Sequence, residues 1–195
     1  LTLGGDSAAN YVLAESGNQT ETTATITAKE VTVTITPNGG TYGSVVAAAA
    51  ELSGAVKEEN VPVTLTYTGN GYDATDVPVN VGSYKVTASI ANSNYTLTEN
   101  TTADFVITPK AVTVSGITAK DKVYDGTNDA TLDCSNAKFD GILKNDKLTV
   151  AAKGMFETAV AGKQNVAISG LTLGGDSAAN YVLAESGNQT ETTAT

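Results

Sequence analysis

Apolar and polar residues alternate with a period of two along most of this chain. Val31, Val33 and Ile35 interleave with Thr32, Thr34 and Thr36, and Val61, Val63, Leu65 and Tyr67 keep the same spacing. Val77, Val79 and Val81 repeat it, as do Val112 with Val114, Leu148 with Val150 and Val166 with Ile168. A period of two sends successive side chains to opposite faces, and β-branched Val and Thr suit a pleated surface. Each segment therefore predicts a half-buried strand of an antiparallel sheet. Between them lie Pro37-Asn38-Gly39-Gly40, Gly69-Asn70-Gly71 and Asp125-Gly126, residues that tolerate positive φ and predict turns and hairpins. One stretch departs from the pattern. Residues 45–56, VVAAAAELSGAV, are rich in Ala and lack alternation, which predicts one or two helical turns ended by Gly54.

Internal repetition organises these elements. Residues 1–25, LTLGGDSAANYVLAESGNQTETTAT, recur without change at 171–195, a period of 170. Chance does not produce an identity of that length, so the chain reads as an internal segment of a protein built from tandem 170-residue units. A fainter echo divides the unit: ITAKEVTV at 26–33 returns as ITPKAVTV at 107–114. Ser93-Asn94-Tyr95-Thr96-Leu97 and Ala179-Asn180-Tyr181-Val182-Leu183 form a second related pair near the module ends. Two related modules of roughly 80 to 90 residues follow, a size natural to a small all-β domain. The predicted boundaries are 1–25 for the end of a preceding repeat, 26–106 for one β module and 107–195 for another.

Composition narrows the chemistry. The eleven basic residues are all Lys, against 21 acidic ones, and the chain contains no Arg, His or Trp. Lack of His removes Ser-His and Cys-His pairs and His-ligated metals. Lack of Arg removes the bidentate fork for phosphate. A net charge of −10 opposes binding to nucleic acid or anionic lipid. No apolar run reaches the length of a membrane helix, so no membrane insertion is expected in this segment. The single cysteine, Cys134, has no His to activate it and no second thiol within the chain, and is expected to be inert.

Candidate sites are few. Asp121, Asp125, Asp129 and Asp133 invite a calcium reading, but DGTND does not match an EF-hand loop and solvated turn carboxylates fit better. Nothing in the acid spacing selects a glycosidase pair, and no phosphate loop or nucleophile elbow is present, so no enzyme, catalytic residue, metal or cofactor is expected. The Thr ladder of TVTIT occurs too rarely for an ice-binding face. Lys110, Lys120 or Lys122 with Asn180 could form an internal isopeptide bond only if buried together, and exposed Lys is the plainer expectation. With only three Phe, the eight Tyr must supply most aromatic burial. Tyr42 beside Gly43, and Tyr124 in Tyr124-Asp125-Gly126, stand next to glycine turns where a ring can anchor a hairpin to the core.

These residues carry a family resemblance. KVYDGTNDATL at 122–132, followed by LKNDKLTV, VAGKQNVAISGLTL and SAANYVL, resembles the YDG domain of bacterial surface proteins. TYGSVV, followed by YTGNGYDATDVPVNVGSYKVTASIANSNYTL and VITPKAVTV, resembles the MBG domain of YGX type. The resemblance implies a secreted or wall-attached bacterial protein, located extracellularly at the cell surface, whose tandem modules form a stalk or adhesin. It brings no catalytic residues.

The expectation is thus an all-β chain of two tandem antiparallel β-sandwich (Ig-like) modules, acting as the non-catalytic shaft of a surface protein. A β-grasp-like first module with a short helix near 46–56 is the structural alternative. The functional alternative is a glycan-binding module using Tyr67, Asn70, Tyr72 and Asp73 as an exposed platform. Expected partners are neighbouring repeats of the same protein, with host or microbial surface glycans or proteins as candidates beyond them and no nucleic acid.

Overall fold

The computed structural model describes residues 1–57, 59–99 and 101–195. It is all-β, and among the described residues no helix is long and apolar enough to cross a membrane. The strands are β1 (Lys29–Thr36), β2 (Gly40–Thr41), β3 (Ala49–Ser53), β4 (Val63–Gly69), β5 (Tyr72–Ala74), β6 (Gly82–Ile90), β7 (Tyr95–Thr98) and β8 (Thr102–Thr108). There follow β9 (Lys110–Ser115), β10 (Thr118–Ala119), β11 (Asp129–Ala130), β12 (Leu132–Asp133), β13 (Lys138–Asp140), β14 (Thr149–Phe156), β15 (Gln164–Gly174), β16 (Tyr181–Leu183) and β17 (Glu191–Ala194). Each sheet and each core cluster draws on β1–β8 or on β9–β17, which we call the first and second modules.

The first module faces a sheet of order β3-β1-β7 with a five-stranded sheet of order β2-β8-β6-β4-β5. Alternation decides which side chains meet between them. Val31 and Val33 of β1 are buried, and Ile35 joins Tyr67, Tyr84, Val86, Phe105 and Ile107 of the opposite sheet. In the second module, β13-β9-β16 faces β11-β14-β15-β17, with Val114, Ile117, Val150 and Ile168 between the layers.

Three expectations need correction. Residues 49–53 are strand β3, not helix, and the β-grasp alternative with a helix near 46–56 falls with it. Strand β1 offers a free edge, and β3 fills it antiparallel with Ile35 opposite Ala50 and Thr32 opposite Ser53. Ala50 and Leu52 turn inward while their neighbours face solvent, so long-range pairing overrides the helix preference of Ala. Residues 77–81 form no strand: Pro78 is fully buried and has no N–H to give a ladder, and Val79 points outward. The sheets are also not purely antiparallel, because β7 runs parallel to β1, β2 to β8 and β16 to β9. Long connections between those partners permit a parallel return that a tight hairpin does not.

The two faint echoes of the sequence meet in space. The echo ITAKEVTV supplies β1 and Asn94-Tyr95 supplies the start of β7, paired with Lys29 opposite Tyr95. The echo ITPKAVTV supplies β9 and Asn180-Tyr181 the start of β16, paired with Lys110 opposite Tyr181. The modules thus share one plan. Between them, β8 passes into β9 through Pro109 alone, whose ring fixes φ and leaves little slack.

Candidate functional site

Each module seats one tyrosine in a turn. The Val56 N–H donates to the Tyr95 hydroxyl at 3.0 Å, and that hydroxyl donates to Glu59 Oε2 at 2.5 Å. The Leu143 N–H donates to the Tyr181 hydroxyl at 2.9 Å, and that hydroxyl donates to Asp146 Oδ2 at 2.5 Å. In both turns the acid stands three residues after the N–H donor and closes the turn through its own N–H, Glu59 to the Val56 carbonyl at 3.1 Å and Asp146 to the Leu143 carbonyl at 3.2 Å. The seats are the same device at equivalent positions.

The second seat is occupied from outside its module. Tyr42 extends from the end of β2, its N–H held by the Thr108 carbonyl at 2.8 Å beside the linker. Its hydroxyl donates to Asp146 Oδ2 at 3.0 Å, so one carboxylate oxygen receives two phenols from two modules. The Tyr42 and Tyr181 rings meet edge to face, with centroids 5.4 Å apart. Such a pair contributes about 0.5–1.5 kcal/mol beyond its area, and the hydrogen bonds to a carboxylate are of the stronger, charge-assisted kind. Burial and then the Asp146 hydrogen bond push the Tyr181 phenol up to about 12, and the same two causes raise Tyr42.

Two further contacts complete the joint. Asn180 accepts from the Val81 N–H at 2.9 Å and donates to Asn80 Oδ1 at 3.0 Å, tying the second module to the loop before β6. Gly43 has φ +83°, and a Cβ there would overlap Leu143 Cδ1. The backbone conformation favours glycine here, and any side chain would also have to displace the Leu143 methyl of the other module.

The structure disperses the other sequence candidates. Tyr124 does not anchor a core; it is 70% exposed. Asp125 instead organises its turn, accepting from Lys122 Nζ at 2.9 Å and from the Thr127 N–H at 2.8 Å, with Gly126 at φ 78°. Those partners, Lys122 first, hold its carboxyl down at about 2. Asp133 caps Ser135, Asp121 accepts from the Thr195 N–H, and Asp129 pairs opposite Met155 in β11. Asp121, Asp125 and Asp133 thus hold three separate contacts, and Asp129 lies in a strand. The proposed glycan platform is taken apart: Tyr67 is 2% exposed, packs on Phe105 and accepts from the Ala48 N–H. Tyr72 packs edge-on to Tyr84 and donates to the Asp76 carbonyl, while Asn70 donates to the Val81 carbonyl, leaving Asp73 exposed in β5. A buried ring cannot stack on a sugar. Cys134 is half-buried against the cluster of Val114 and Ile117. Asn180 is engaged across the joint and Lys122 with the Asp125 turn.

Sequence reasoning placed Tyr42 and Gly43 at a structural position but missed what they touch. Asp146, Leu143 and Asn80 carried no signal of their own. The recurrence of Asn-Tyr at 94–95 and 180–181 was the available clue, since a phenol in a repeated position needs a repeated partner.

Comparison with known families agrees with this architecture. Residues 48–111 match the MBG domain and residues 108–192 match the YDG domain. No curated protein and no solved structure matches the chain. The two matches stand in tandem, the MBG match running directly into the YDG match.

Proposed function

We propose that this chain is a non-catalytic spacer segment of a bacterial cell-surface protein, an elongated shaft that holds a distal binding region away from the cell. The observation that carries the reading is the joint itself. A shaft transmits position only if its modules keep a fixed relation, and here one carboxylate, two phenols, an Asn pair and a one-residue Pro linker act on the same boundary. Thr-rich outer faces and a net charge of −10 suit a hydrated shaft surface.

Partners under this reading are the neighbouring repeats. The test is dimensional: small-angle scattering from chains of one, two and four 170-residue units. The shaft predicts a maximum dimension that grows in proportion to unit number. Growth as roughly the square root of unit number, as in a flexible chain, would refute it.

A further inference from the structure

The internal joint brings together two unlike faces. The first module contributes Tyr42 and the loop ending in Asn80 and Val81; the second contributes the tyrosine seat of Tyr181, with Asn180 and Asp146. Each module also carries the counterpart of the face it does not use there.

The first module's unused face is its own tyrosine seat, Asn94 and Tyr95 with Val56 and Glu59, built from the same hydrogen bonds. Glu59 Oε2 has received one phenol, as Asp146 Oδ2 does before Tyr42 arrives. The second module's unused face is Tyr124 with residues 160–163. Tyr42 stands 13 residues after Lys29 and Tyr124 stands 14 after Lys110, each beside its module's glycine turn; the backbone bond that Tyr42 makes to the Thr108 carbonyl is made in the second module by Lys122 to the Thr195 carbonyl, two residues before Tyr124. Residues 160–163 precede β15 as Asn80 and Val81 precede β6.

The Tyr124 face is open and mostly apolar, and the Tyr95 seat borders an open hollow of mixed polar and apolar lining, with Tyr95 itself buried. Tyr124 and Val160 are each 70% exposed, and with Val123, Phe156 and Thr195 they line a hollow of about 400 Å³. Ile26 is 99% exposed and lies beside a second hollow with Asn94, Tyr95 and Glu59. The identical segments place these faces side by side along the chain. Thr195 sits in the first hollow, its N–H on Asp121 and its carbonyl accepting from the Lys122 N–H at 3.0 Å. Its equivalent in the leading segment, Thr25, is bonded directly to Ile26.

We propose that Tyr124 and residues 160–163 dock on the Asn94, Tyr95 and Glu59 seat of the first module in a following copy of the unit. Tyr124 takes there the place that Tyr42 takes against Tyr181 and Asp146, with its phenol on Glu59 and its ring edge-on to Tyr95. The occupant of the exposed hollow is therefore a second copy of this chain's own first module. This inference deepens the shaft reading and rests on it, because it makes the boundary between units as rigid as the boundary within one.

The test uses residues 1–195 followed directly by a second 26–195, with Cys134 replaced by Ala and paired spin labels across either boundary. Pulsed dipolar spectroscopy reads the distance distribution. The expected result is one narrow distance across the unit boundary, broadened at least twofold by Tyr124→Ala and by Val160→Asp. Both residues are exposed, so the single unit with either substitution should melt as the parent does. A broad distribution in the parent, or a narrow one that both substitutions leave intact, overturns the proposal. Labels across the internal joint separate the two ideas: narrow there but broad at the unit boundary sinks this inference and spares the shaft, whereas broad at both sinks the shaft.

Discussion

Residues 1–25 and 171–195 share one sequence and adopt two structures. Both copies form a single 3₁₀ turn, at Ala8–Asn10 and Ala178–Asn180, each entered through a Ser with φ near −100°. In both, a Gly with positive φ precedes the turn, Gly5 at 103° and Gly175 at 96°. Asn18 donates to the Ala14 carbonyl as Asn188 does to Ala184, and Gln19 to Glu21 as Gln189 does to Glu191. These short-range bonds are reproduced in both copies. The strands are not: the trailing copy contributes the end of β15 with β16 and β17, while the leading copy has no strand. Tyr181 is 6% exposed and Tyr11 is 70% exposed. Local hydrogen bonds thus belong to the 25-residue sequence itself, whereas its strands belong to the sheet that receives them.

That difference can be broken or sharpened experimentally. The largest effect should come from deletion. Removing 171–195 takes two strands and part of a third from the second module and should abolish its cooperative unfolding, whereas removing 1–25 should change stability by no more than about 0.5 kcal/mol in urea titrations. Equal losses from the two deletions would erase the contrast. A single ring comes next: Tyr181→Ala should cost about 3–5 kcal/mol, and Tyr11→Ala less than about 0.5 kcal/mol.

Gln189 sharpens the contrast between local and distant bonds. Its carboxamide accepts from the Ile117 N–H and donates to the Ile117 carbonyl, both at 2.8 Å, and Ile117 is buried. Gln189→Ala should therefore cost about 1–3 kcal/mol, while Gln19→Ala, which loses only a local bond, should be nearly neutral by the same chemical denaturation.

The smallest effect is a titration. Folding raises the Tyr181 pKa from 10.0 to about 12, so the folded state favours the protonated phenol. Its contribution is complete below pH 10 and is lost as pH climbs through about 12. Ultraviolet titration of the phenols should show this late step, and Asp146→Asn should bring it earlier by removing the neighbouring negative charge. A step unmoved by that substitution would contradict the assigned partner.

The sequence made the layers legible where one residue decides its own facing. Val31, Val33, Val112, Val114 and Val166 are buried as their alternation requires. It misled where a neighbour decides. Ala49–Ser53 becomes a strand because the edge of β1 needs a partner, and Val77–Val81 does not because Pro78 interrupts the donors. The joint was half legible. Tyr42 and Gly43 stood out beside their turn, but Asp146 lies 104 residues from Tyr42 in the chain and only the fold brings them together. Tyr124 shows the same limit from the other side, since its motif marks a position and not the surface that covers it.

The central claim is that the joint at Tyr42, Tyr181 and Asp146 locks the two modules into one body. Residual dipolar couplings from backbone amides of the whole chain in a weakly aligning medium test it most directly. The account predicts that couplings from β1–β8 and β9–β17 fit one alignment tensor, equal in magnitude and orientation. Two tensors of different magnitude would show modules that reorient independently, and the locked joint would be contradicted.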